Sequence, residues 1–199
     1  KIAEFLLKKV WDKLGKKPVV FLLSGDLGCG KTVFSRKIGK LLGVKEKITS
    51  PTFMIYNEYP IKMSAKNKID KFLHMDLYKI THKRDLAEIE FEEKFKRKNI
   101  ICIEWPEQMG KNYLAQVKKK SKVMGVNFEY VDENTREISY DLPKEWLEKL
   151  KGIDELGALG FESADTVVNT LNSIVFGGWL EINDGLGGGF IFKGGFAGN

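Results

Sequence analysis

Residues 25–32 read Gly-Asp-Leu-Gly-Cys-Gly-Lys-Thr, the spacing G-x-x-x-x-G-K-[ST], and they follow the apolar run Pro18–Leu23 directly. A buried strand that empties into such a turn can aim successive backbone N–H groups at one point. The amphipathic stretch Thr32–Leu42 then adds a helix N-terminus to the same concavity. This chemistry suits the β- and γ-phosphates of a nucleotide. Gly25, Gly28 and Gly30 supply positive φ and close backbone approach, Lys31 a point charge on the phosphate oxygens, and the Thr32 hydroxyl a magnesium ligand. Asp26, Cys29 and Val33, within and just after the loop, are counted with the nucleotide-binding stretch.

Magnesium on a nucleotide needs a second protein anchor, and the crevice beyond the C-terminal ends of buried strands is where it belongs. Glu104 is that candidate: it ends Ile100-Ile101-Cys102-Ile103 and precedes Trp105-Pro106, which stops the strand and presents the carboxylate. Asp76, in His74-Met75-Asp76-Leu77-Tyr78, ends a second strand-like run, so the two acids can divide metal binding and orientation of a water between them. His74 taken alone reads as a packed core histidine. Thr49-Ser50-Pro51-Thr52-Phe53 stands where a γ-phosphate-sensing loop would be expected, although it serves equally as a turn before the next strand. Asn67-Lys68-Ile69-Asp70 matches a guanine-reading pattern, but it precedes both acids and leads into a strand rather than out of one, which favours adenine.

The elements that must hold these residues follow from periodicity. Ile2, Phe5, Leu6, Val10, Trp11 and Leu14 are spaced for a leading amphipathic helix. Phe53–Tyr59 and Phe72–Leu77 read as paired strands, Asp85–Phe95 as a helix, Ile100–Ile103 as a strand buried on both faces, Val123–Val131 with Arg136–Asp141 as a hairpin, and Lys144–Lys149 as a short helix. Strands alternating with helices around a phosphate loop predict a three-layer α/β domain over residues 1–150. Residues 152–199 hold 12 of the 20 glycines and carry six acids against Lys193 alone, a net charge of −5 that leaves +11 on residues 1–151 of a chain whose total is +6. This acidic, glycine-rich extension over 151–199 has no legible role. A flexible tail is the first reading, with Ser163–Val175 as a possible helix and Trp179–Ile182 and Phe190–Phe192 as short strands.

The 43% hydrophobic content supports a real core in 199 residues, and Cys29 and Cys102 are too few for a disulfide framework, so a cytoplasmic protein is expected. No apolar run approaches the roughly 20 residues of a membrane span. The lysine runs 94–98 and 118–120 read first as solvated faces and second as contacts to RNA or an acidic surface.

In their order along residues 1–141, the Gly25–Thr32 loop, Thr49-Ser50-Pro51-Thr52-Phe53, Asn57-Glu58-Tyr59, His74-Met75-Asp76-Leu77-Tyr78 and Ile103-Glu104-Trp105-Pro106-Glu107 resemble the TsaE family, the bacterial ATPase subunit of tRNA threonylcarbamoyladenosine (t6A) modification. The resemblance implies a P-loop NTPase fold with a mixed central sheet, ATP and Mg2+ as ligands, hydrolysis of ATP, and the TsaB and TsaD subunits as partners, with tRNA contacted only indirectly. It implies catalytic roles for Lys31, Asp76 and Glu104, magnesium on Thr32 and Glu104, and nucleotide contacts from Thr52, Trp105 and Arg136. Cys29 stands where the family usually has alanine, and Lys79 where arginine is common. Two other activities fit the same loop: a small-molecule kinase, disfavoured because Arg36, Arg84, Arg97 and Arg136 are the whole arginine complement, and a binding module whose nucleotide is never turned over.

Overall fold

In a computed structural model of the chain, residues 17–51, 54–61, 69–80, 83–96, 98–132, 135–141, 180–181 and 189–195 are described. The expected helices over 1–14, 144–149 and 163–175 lie outside them. The elements in order are β1 (Val19–Gly25), α1 (Lys31–Leu41), β2 (Tyr56–Pro60), β3 (Lys71–Asp76), α2 (Lys83–Glu88), a 3-10 turn (Phe91–Phe95), β4 (Ile100–Glu104), a second 3-10 turn (Pro106–Met109), α3 (Gly110–Lys120), β5 (Lys122–Tyr130), β6 (Thr135–Asp141), β7 (Leu180–Glu181) and β8 (Gly189–Gly195).

The strands form one mixed sheet in the order β2-β3-β4-β1-β5-β6-β8-β7. Its centre, β3-β4-β1-β5, is parallel, and β2, β6, β8 and β7 add antiparallel edges. Parallel strands need covering on both faces, and alternation along them supplies two apolar surfaces. Val19, Phe21, Leu23, Phe72, Ile100, Cys102, Met124, Val126 and Phe128 pack toward Ile38 of α1 and Leu42 just after it. Val20, Leu22, Leu73, Met75, Ile101 and Ile103 pack toward Leu86, Phe91, Phe95, Met109 and Val117. Each of the fully buried isoleucines of β4 contributes about 1.5–3 kcal/mol by leaving water. The result is the three-layer α/β sandwich, built around β4, every residue of which is buried.

The β2–β3 pair and the β5–β6 hairpin form as their runs suggest, with β2 beginning later, at Tyr56. The helix expected over 85–95 instead breaks. Glu90 adopts a left-handed conformation (φ 50°), and Phe91 to Phe95 continue as a 3-10 turn whose two aromatic rings lie 4.9 Å apart. Of the glycine-rich extension, Gly189–Gly195 pairs antiparallel with β6, and Leu180–Glu181 with β8. Among the described residues no helix is long and apolar enough to cross a membrane.

Candidate functional site

β1 leaves the sheet at Gly25, whose φ of 130° suits glycine and whose backbone runs so close to β5 that a Cβ would sit 2.2 Å from the Phe128 carbonyl oxygen. Gly28 (φ 76°) and Gly30 (φ 115°) complete the turn. Tyr130, at the far end of β5, donates its hydroxyl to the Leu27 carbonyl at 2.9 Å and steadies the outer wall of the loop. Gly30 is the N-cap of α1; no side chain caps that helix and its first turn holds no acid, so its leading N–H groups face the loop's hollow uncontested.

Lys31 is 4% exposed. Its ammonium donates to the Gly25 and Asp26 carbonyls, the latter at 2.7 Å, and lies 4.0 Å from the centre of the Trp105 ring. Trp105 is itself in a left-handed conformation (φ 57°) and packs on Tyr78 at 5.0 Å. One cation is therefore fixed between the floor of the loop and an aromatic wall, an arrangement stabilised by the ring's quadrupole.

Parallel registry brings the acids to the same edge. Leu23, Glu104 and Asp76 are neighbours across β1, β4 and β3. Glu104 is 3% exposed and both its oxygens are engaged: Oε2 accepts from the Thr32 hydroxyl at 3.1 Å, and Oε1 lies 2.6 Å from His74 Nε2. Asp76, half-buried beside it, accepts from the Ser50 hydroxyl at 2.6 Å and from the Tyr78 N–H at 3.1 Å. A hydroxyl and a carboxylate in direct contact, at the mouth of a loop of N–H donors, form a donor set that suits Mg2+, which takes one or two protein oxygens and fills its octahedron with phosphate and water.

The remaining expectations are placed as follows. Asp26 and Val33 are exposed at the rim, and Cys29 is buried beneath the loop with its thiol 3.7 Å from Lys31 Nζ. Arg136 falls in β6 opposite Tyr130 in register. Thr52 lies outside the described residues. Asp70 sits before β3, at the end of that strand opposite Asp76, with its N–H donated to the Lys98 carbonyl, so this residue of the guanine-reading pattern is remote from the loop, while Asn67 and Lys68 lie outside the described residues. His74 is the packed, fully buried histidine expected, but its link to the site was not legible: it bridges Glu104 and the Thr49 carbonyl, its Nδ1 being 3.2 Å from that oxygen.

Lys94 and Lys120, of the basic runs, have acid partners within the chain. Lys94 donates to Glu58 and to the Tyr56 hydroxyl, each at 2.9 Å, and Lys120 donates to Glu92 at 2.8 Å. Burial raises the pKa of Glu58, but the hydrogen bonds and positive charges of Lys71 and Lys94 together outweigh it, so the carboxyl sits below the ordinary value of 4.5.

Residues 3–138 match the family model described as threonylcarbamoyl adenosine biosynthesis protein TsaE. The chain belongs to the TsaE family. Among curated relatives, the tRNA threonylcarbamoyladenosine biosynthesis protein TsaE of Nostoc is 36% identical over 59% of this chain and 67% of its own length. The Rickettsia felis protein of the same name is 37% identical over 59% of this chain and 61% of its own, and the Haemophilus influenzae one 30% identical over 67% and 74%. Among solved structures, the crystal structure of YdiB from Bacillus subtilis aligns with a TM-score of 0.47 and 19% identity, over 80% of this chain and 89% of that one. All the acids and hydroxyls of the site lie inside the stretch that the TsaE model matches.

Proposed function

We propose that this TsaE-family chain is a magnesium-dependent ATPase that acts on TsaB and TsaD to sustain threonylcarbamoyladenosine modification of tRNA. The observation that carries the reading is the direct Thr32–Glu104 contact, which unites the end of the phosphate loop with a buried strand-end carboxylate 72 residues later. The loop amides and Lys31 hold the β- and γ-phosphates and neutralise charge that grows during phosphoryl transfer. Mg2+, when bound through Thr32 and Glu104, supplies further neutralisation of the phosphate oxygens. Asp76, next to Glu104 and more open to solvent, orients the attacking water. Trp105 closes the side of the cradle over Lys31 and limits the access of bulk water. The ATPase domain spans residues 1–150, with 151–199 as its extension, and the setting is cytoplasmic.

The charge of Lys94 and Lys120 does not by itself call for direct tRNA contact, since each is paired with an acid of the same chain. The kinase reading loses ground as well: Arg36 donates to the Ile48 carbonyl at 2.8 Å and is tied to the framework rather than to a lid. The deciding experiment measures ATP turnover by the purified chain with and without TsaB–TsaD, together with the fate of the phosphate. The ATPase reading expects free phosphate and stimulation by the partners. Nucleotide binding with no release in either case refutes turnover, and phosphate recovered on an acceptor refutes hydrolysis.

A further inference from the structure

The segment between α1 and β2 has no regular secondary structure through residues 47–51, yet three consecutive residues are pinned. Ile48 is 5% exposed and lies against α1 so closely that a Cβ on Gly39 would meet its Cδ1 at 2.0 Å, while Arg36 Nε donates to its carbonyl. The Thr49 carbonyl faces His74 Nδ1 at 3.2 Å. The Ser50 hydroxyl donates to Asp76 Oδ2 at 2.6 Å. One residue is thus fixed to the helix that starts at the phosphate loop, the next reaches Glu104 through His74, and the third is fixed to the neighbouring acid.

The His74 ring is fully buried, and both its nitrogens face acceptors. A core histidine needs only to satisfy its polar atoms. This one sets Nε2 2.6 Å from a strand-end carboxylate and Nδ1 3.2 Å from the backbone of an irregular loop, and although a ring carrying one N–H donates to only one of them, it is a spacer, or strut, of fixed length between the two. Glu104 Oε2 is the oxygen turned toward Thr32, which leaves Oε1, held by His74, to set the plane of the carboxylate.

We propose that His74 is a positioning residue that couples the Thr32–Glu104 pair to the 48–50 segment. With Glu104 engaged by Mg2+ and nucleotide, the strut holds Thr49, and so the whole segment, in one place relative to the phosphates; without the strut the segment no longer registers the state of the carboxylate. By linkage the coupling is reciprocal, so a segment held in place also favours Glu104 in its ligating orientation. The inference rests on the Mg-nucleotide reading above.

Hydrogen–deuterium exchange of the full chain tests it, comparing Mg·ADP with ADP in EDTA for the native protein, His74→Gln and Ser50→Ala. In the native protein Mg·ADP slows exchange over 25–34, and slows it over 46–50 by about fivefold or more relative to ADP in EDTA, the lower range of an ordinary coupling. His74→Gln keeps the slowing over 25–34 and reduces the Mg-dependent part over 46–50 to less than about twofold. Ser50→Ala, which leaves the strut intact, keeps more than half of it. A merely structural histidine would instead lower protection throughout. Native-like coupling in His74→Gln overturns the proposal, as does its loss in Ser50→Ala. If His74→Gln fails to fold, His74→Asn, whose shorter amide cannot span both contacts, replaces it under the same criteria. No protection over 25–34 in the native protein refutes the nucleotide reading itself, whereas protection there with none over 46–50 refutes only the coupling.

Discussion

Replacing Glu104 by glutamine separates the acid's folding role from its chemical one. The two side chains have nearly the same shape, and Glu104 is 3% exposed, so no cavity forms. The amide oxygen can still accept from His74 Nε2, which lies 2.6 Å from Oε1. The NH2 group then faces Thr32, whose hydroxyl turns from donor to acceptor across 3.1 Å. Both contacts of the side chain keep a partner, and the stability change should stay within about 1 kcal/mol. What disappears is one negative charge from the place where the cation would sit. Losing a charge-assisted contact of about 1.5–3 kcal/mol predicts roughly a 10- to 160-fold fall in Mg2+-dependent nucleotide affinity. Chemical denaturation measures the first quantity, and nucleotide titration with Mg2+ against EDTA the second. A variant that unfolds with the native midpoint and binds Mg·ATP as tightly as the native protein refutes the assignment of Glu104 to the metal. A loss of several kcal/mol in stability refutes the account of its hydrogen bonds.

Three further predictions follow from other contacts. Gly39→Ala gains about 1 kcal/mol of helix propensity but forces Ile48 off α1, a repacking worth about 1–3 kcal/mol, so it destabilises; in an Ile48→Val background, which removes Cδ1 and leaves the Phe72 ring at 3.2 Å as the close neighbour, the same change costs less, as paired urea melts would show. Lys31→Met removes the only ammonium placed over Trp105 among the described residues, so Mg·ATP binding falls below detection in calorimetry, while thermal melting, with the apolar stem retained, shifts by no more than a few degrees. Glu58 has a folded pKa below its unfolded one, so its ion pairs with Lys94 and Lys71 add stability above the ordinary carboxylate range and lose it as pH falls through the lowered value; Glu58→Gln therefore destabilises near neutral pH and flattens the decline in melting temperature on the acid side, an effect kept small by solvent screening.

The parts of the site that were legible from sequence are those whose spacing is dictated locally. The phosphate loop depends on three glycines and a lysine at fixed offsets, and Glu104 is announced by an apolar run that Trp105-Pro106 brings to a halt. His74 could not be read the same way, because its partner is 30 residues distant and the contact arises only when β3 and β4 pair in parallel. A polar residue that alternates in phase with Asp76 on the same strand face was the available clue. Helix α3 is only faintly marked in the sequence, because its apolar face is just Tyr113, Leu114 and the buried Val117, set among Lys111, Lys118, Lys119 and Lys120. The continuous helix expected over 85–95 failed for the converse reason: Phe91 and Phe95 have helical spacing, but tertiary packing against Tyr113 and the sheet is served by a tighter turn.

The central claim is that loop amides, Lys31 and a Thr32–Glu104 pair together hold Mg·ATP. Isothermal titration of the folded chain with ATP tests it most directly. The account predicts a saturable heat at one nucleotide per chain that weakens sharply when Mg2+ is chelated. A flat titration in the presence of Mg2+, with a well-folded protein in the cell, would contradict it.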